Sequence, residues 1–177
     1  VEVLAVGYPA LDDALVALGD EQPDRAIARL KPLTASDDPY LATMARYLKA
    51  RALVVKLDFE TAKPILQELI DDDSAALFQR GPAKFYLGVA QAHTLEREKA
   101  AETLTQFLDN YPAEAERLRS GASHILNDLK AIADGELTDV RDRMQYAYRR
   151  LNLHDTGQPT QEQHEKIVEM LDTLIEE

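Results

Sequence analysis

The sequence predicts an all-α chain, a stack of antiparallel helical hairpins with a capping or extending C-terminal helix. Three observations carry this. Apolar residues recur at spacings of three and four from end to end, the period of one helix face. A content of 45% hydrophobic but only 6% aromatic residues, with no Trp and seven scattered Gly, fits a packed chain and argues against a β sandwich or barrel. A small residue four positions before a large one also returns three times along the chain, the mark of a repeat array.

Taken in order, Pro9 opens a helix through Leu11, Leu15 and Leu18 that ends at Gly19. Pro23 starts its partner, with Ala26, Ile27, Leu30 and Leu33 on one stripe and Ala35 to Pro39 closing it. The next helix spans 40–57 through Leu41, Met44, Tyr47, Leu48, Ala52 and Val55. Asp58 is expected to cap the following one, 61–70, with Pro64 in its first turn. Asp71-Asp72-Asp73-Ser74 ends that pair. A third pair runs from Pro82 to about Leu95 and from about Arg97 to Asn110, stopped by Tyr111-Pro112.

A longer helix is expected over 113–133, ending at Gly135, and another from a Thr138 cap through Met144, Tyr148 and Leu151. After a polar linker, Thr160 and Gln163 stand in capping-box spacing. The helix they would open carries Ile167, Met170, Leu171 and Leu174 and is expected to run past the last residue. That stripe must bury itself on the stack or on another chain. The expected organisation is a repeat domain over 1–151, with repeats at about 9–39, 40–74, 82–112 and 113–151, then a linker and C-terminal helix over 152–177. The chain starts at Val1 without Met or a charged-then-apolar leader, which leaves processing and excision from a longer chain both open.

The recurring pairs are Ala26 with Leu30, Ala62 with Leu66 and Ala100 with Leu104, at steps of 36 and 38 residues. A small residue belongs where two helices cross closely, and the large one fills the space beside it. These positions resemble the tetratricopeptide repeat, whose pattern is Leu-Gly in a first helix, Ala and a large residue in the second, then Pro. The third pair carries the resemblance best, with Leu87-Gly88, Ala100, Leu104 and Pro112, although Lys84 and Gln91 stand where the family has Trp and Tyr. In the second pair Lys49-Ala50 and Ser74 replace Leu-Gly and Pro, and in the first Pro39 falls one residue late.

The resemblance implies a right-handed α-solenoid that is not an enzyme and that holds a protein or peptide in the groove made by its first helices. Carried onto matching positions, the groove-facing pattern selects Met44, Tyr47, Arg51 and Val55, then Phe85, Val89 and His93, with Ile125 and Leu129 extending the surface. The rival expectation is an assembly subunit that self-associates or packs into a larger complex through its repeats and C-terminal helix.

Other chemistry finds little footing. A formal charge of −12 opposes nucleic acid and anionic lipid, and no apolar run approaches the roughly 18 residues needed for membrane insertion. There is no Cys, hence no disulfide frame and no thiolate metal site. His93, His124, His154 and His164 lack metal-ligand spacing, and of the four only His93 falls on the groove. No cofactor is expected: the nearest glycines, Gly81 and Gly88, make no phosphate cradle, and Asp71-Asp72-Asp73 lacks a calcium-loop pattern. The serines, Ser36, Ser74, Ser120 and Ser123, stand in no nucleophile context. Arg141, Arg143, Arg149 and Arg150 with Tyr146 and Tyr148 could grip an acidic peptide or RNA. The interleaved Asp139 and Asp142 favour a solvated helix face.

Overall fold

The computed structural model describes residues 7–72, 79–132 and 137–176. Among them the chain forms α1 (Pro9–Gly19), α2 (Pro23–Leu30) with a short 3₁₀ helix (Lys31–Ala35), α3 (Pro39–Val55), α4 (Phe59–Asp71), α5 (Arg80–His93), α6 (Arg97–Asn110), α7 (Glu116–Ala131), α8 (Leu137–Asn152) and α9 (Gln158–Glu176), and no strand. Pro9, Pro23 and Pro39 each occupy the first position of a helix, where a missing N–H leaves no bond unmade. The Asp38 carboxylate accepts from the N–H groups of Tyr40 and Leu41, and that of Asp58 from Thr61.

One turn geometry closes four helix pairs. Glu21, Leu57, Leu95 and His154 all take positive φ, between 54° and 64°. The next N–H in each case reaches back five residues: Gln22 to the Ala17 carbonyl at 2.8 Å, and Asp58 to Leu53, Glu96 to Gln91 and Asp155 to Arg150 at 2.9 Å each. This left-handed cap satisfies the last carbonyls of the first helix and turns the chain directly into the second.

Neighbouring helices pack on each other from α1 through α7, and the first helices of the pairs also touch, α3 on α5 and α5 on α7. Ala26, Ala62 and Ala100 are all at 0% exposure, as are Leu30, Leu66 and Leu104, so all three recurring pairs lie in the core. Opposite them lie Ala14, Ala50 and Gly88, again 36 and 38 residues apart and all buried. Each fully buried Leu contributes about 1.5–3 kcal/mol.

Several expectations are corrected at the element ends. Helix α4 begins at Phe59, which puts Pro64 inside it rather than in its first turn. The exposed ring of Pro64 costs one backbone hydrogen bond there. Helix α7 begins at Glu116, not Ala113, because Ala115 is extended at φ −52° and ψ 133°. Thr138 lies within the first turn of α8 rather than capping it. Thr160 is likewise inside α9, with its hydroxyl donating to the Asp155 carbonyl at 3.1 Å, while Gln163 accepts from Arg143 at 2.8 Å. No capping box forms. Asp73, Ser74, Ala133 and Gly135 lie outside the described residues.

Helix α7 lies on α5 and α6, and the extensive packing of α8 is with α9.

Candidate partner-binding groove

Tyr47 and Arg51 stand one helical turn apart on α3, and Tyr86 faces them from α5. The Arg51 guanidinium carbon lies 5.9 Å from the Tyr47 ring centre and 5.8 Å from that of Tyr86, with the rings 6.4 Å apart. A cation between two aromatic faces is attracted to both and is held in place by them. Burial pushes the Tyr47 phenol above its ordinary value, and the opposing charge of Arg51 does not cancel this. The hydroxyl is therefore neutral and able to donate. Val55 continues the α3 stripe at 48% exposure.

The remaining expected groove residues lie elsewhere. Met44, at 1% exposure, belongs to the core with Leu11, Leu30 and Leu41, and Gln79 Nε2 lies 3.2 Å from its sulfur. Phe85, at 8%, packs with Phe107, Leu118 and Ala122, and a β-carbon on Gly121 would stand 3.3 Å from its ring. Met44 and Phe85 therefore present almost no surface to a partner, because neighbouring helices cover them. Val89 is half-buried against the same cluster, as is Ile125.

His93 sits at the C-terminal end of α5 and faces a different concavity. Its ring stacks on Phe59 with centres 4.6 Å apart, and the Arg149 guanidinium carbon lies 5.4 Å from the Phe59 centre. Arg149 Nη2 donates to the His93 carbonyl at 2.5 Å. Burial, reinforced by the Arg149 charge, pushes the His93 pKa down, so its imidazole is neutral at pH 7. A crevice of about 300 Å³ opens here, lined by Phe59, Glu60, His93, Tyr146, Arg149 and Arg150 among others. On its other side His93 shares a second hollow of about 190 Å³ with Ile125, Leu129 and Arg149.

The crevice exists because α8 is clamped across the turns of the second and third pairs. Asp139, at 2% exposure, is ion-paired to Arg97 of α6 and lies 3.2 Å from Arg143. Arg150 reaches Glu60 of α4 at 3.7 Å and Asp155 at 2.7 Å, and the Tyr146 hydroxyl donates to Glu60 at 3.4 Å. The expectation of a solvated arginine face on α8 is thus corrected: Arg143 and Arg150 are 13% and 14% exposed, and only Arg141, at 62%, fits it.

The sequence reading named Tyr47 and Arg51 as groove residues but not Tyr86, which stands beside them. Tyr146 and Arg149 stood in the basic and aromatic cluster of α8, but Phe59 carried no signal, since the three meet only through the α8 crossing.

Among the described residues no helix is long and apolar enough to cross a membrane. Residues 83–113 match the tetratricopeptide repeat family, a span that includes Leu87-Gly88, Ala100, Leu104 and Pro112. Comparisons with curated proteins and with solved structures returned no match.

Proposed function

Because the chain is a tetratricopeptide-like helical repeat protein, we propose that it is a non-enzymatic scaffold holding a peptide or protein segment on the first helices of its pairs. In this reading the pairs stack as antiparallel hairpins of a right-handed solenoid, and the segment lies along α3 and α5. The observation that carries it is Arg51 held between Tyr47 and Tyr86. Arg and aromatic side chains supply most of the energy at protein interfaces, and a guanidinium fixed in advance loses little entropy when it pairs with a carboxylate or carbonyl. Exposed Val55, one turn beyond Arg51 on α3, offers apolar contact beside it, and His93, neutral and stacked, lies further along α5.

The test uses a photo-crosslinking residue at exposed Val55, with a second at exposed Glu102 of α6 on the outer helices. Adducts to a partner at position 55 and none at 102 support the groove. Adducts at 102 with none at 55 overturn it.

A further inference from the structure

The exposed large apolar side chains of α8 and α9 form two stripes. On α8, Leu137 (70% exposed), Met144, Tyr148 and Leu151 follow one another at helical spacing. On α9, Val168, Leu171 and Ile175 (81%) do the same. Between the stripes runs a groove of about 330 Å³ lined by Met144, Ala147, Leu151, His164, Ile167 and Val168. The opposite side of α8 is the one that docks on the repeats through Asp139, Tyr146 and Arg150. Both stripes therefore face outward, and apolar patches of this kind on soluble proteins mark interaction sites.

The flanks of the groove are unlike in charge. On the outer side of the α9 stripe stand Glu165, Asp172 and Glu176, all exposed, whereas on the outer side of the α8 stripe stand Arg141, Gln145 and Asn152. A trough between two packed helices has the shape that a third helix fills, ridge into groove. A second copy of this chain would bring the same acidic flank and the same charge of −12, and like charges placed opposite each other cost binding energy.

We propose that the α8–α9 groove takes an amphipathic helix of another protein, with its apolar stripe in the trough and Lys or Arg along the edge that meets Glu165, Asp172 and Glu176. This is a second docking face, separate from the Tyr47–Arg51–Tyr86 groove and independent of it.

The experiment titrates the full chain against a labelled amphipathic peptide about 20 residues long, enough to form a helix, with a Leu stripe and a Lys flank. The same peptide with a Glu flank is the control, and fluorescence anisotropy is the readout. The expected result is at least tenfold tighter binding of the Lys-flanked peptide, weakened by salt. Tyr148→Glu and Val168→Glu, both at exposed positions and checked for unchanged helicity, lose that binding at least tenfold, while Arg51→Ala retains it. Equal affinity for the two peptides, no binding of either, or full binding by Val168→Glu would overturn the proposal. So would light scattering that finds the chain dimeric and its Val168→Glu variant monomeric, since the occupant would then be a second copy.

Discussion

Leu104 rests on the bare Cα of Gly88: a β-carbon at position 88 would lie 2.6 Å from both Cγ and Cδ2 of Leu104. The third helix pair crosses there, in the part of the chain that matches the tetratricopeptide repeat, and the first two pairs hold Ala14 and Ala50 at the equivalent places. Gly88→Ala gains helix propensity of about 1 kcal/mol but forces Leu104 out of its seat, an overpacking cost of about 1–3 kcal/mol. The expected outcome is a net loss of about 1 kcal/mol in denaturant unfolding, largely recovered when Leu104→Val is added.

The turns should respond in the opposite direction. Glu21 and Leu57 hold left-handed backbone at φ 54° and 64° without being Gly. Such a conformation costs a side-chain-bearing residue about 1–2 kcal/mol, against about 0.5–1 kcal/mol for the extra freedom of Gly in the unfolded chain. Glu21→Gly and Leu57→Gly are each expected to raise the melting temperature, as scanning calorimetry would show.

The α8 clamp rests on Asp139. Asp139→Ala strips the buried carboxylate from between Arg97 and Arg143 and is expected to cost about 3 kcal/mol. Hydrogen exchange should quicken in α8 and α9 while α1 to α3 keep their protection. Uniform quickening over the whole chain would mean that α8 is integral to the repeats rather than strapped across them.

Glu96 and His93 both contribute to the acid response. Burial alone would raise the Glu96 carboxyl, but the Lys63 and Lys99 ammoniums outweigh it and lower it from 4.5 to about 2. The unfolded chain thus takes up this proton first. The stabilisation is complete above pH 4.5 and is lost as the pH falls through about 2. For His93, pushed below 6.5 by burial and by Arg149, stability is complete above pH 6.5 and declines as the pH falls below it. Melting temperature followed from pH 8 to pH 2 should show both declines, with His93→Gln flattening the upper and Glu96→Gln the lower.

The sequence carries the repeat core openly because a close helix crossing dictates residue size: Ala26, Ala62 and Ala100 can be placed from spacing alone. Tyr47 and Arg51 are legible for a similar reason, being neighbours on one helix face. Met44 and Phe85 show the limit, since an apolar residue on a stripe reads the same whether it faces open space or the next helix. The α8 crossing was hidden further. Its bonds join residues far apart in sequence, Arg97 with Asp139 and Glu60 with Tyr146, and no local period marks them. The common turn was invisible because Glu21, Leu57 and Leu95 are not the Gly that such caps usually select.

The central claim is that the seam of α3 and α5 binds a protein segment. Its most direct test is the dissociation constant of a partner captured on the full chain, compared with that for the Arg51→Ala, Tyr86→Ala double variant. The account predicts at least a tenfold loss, about 1.4 kcal/mol or more, in a double variant that keeps the helicity of the parent chain. An unchanged constant in a folded double variant would contradict it.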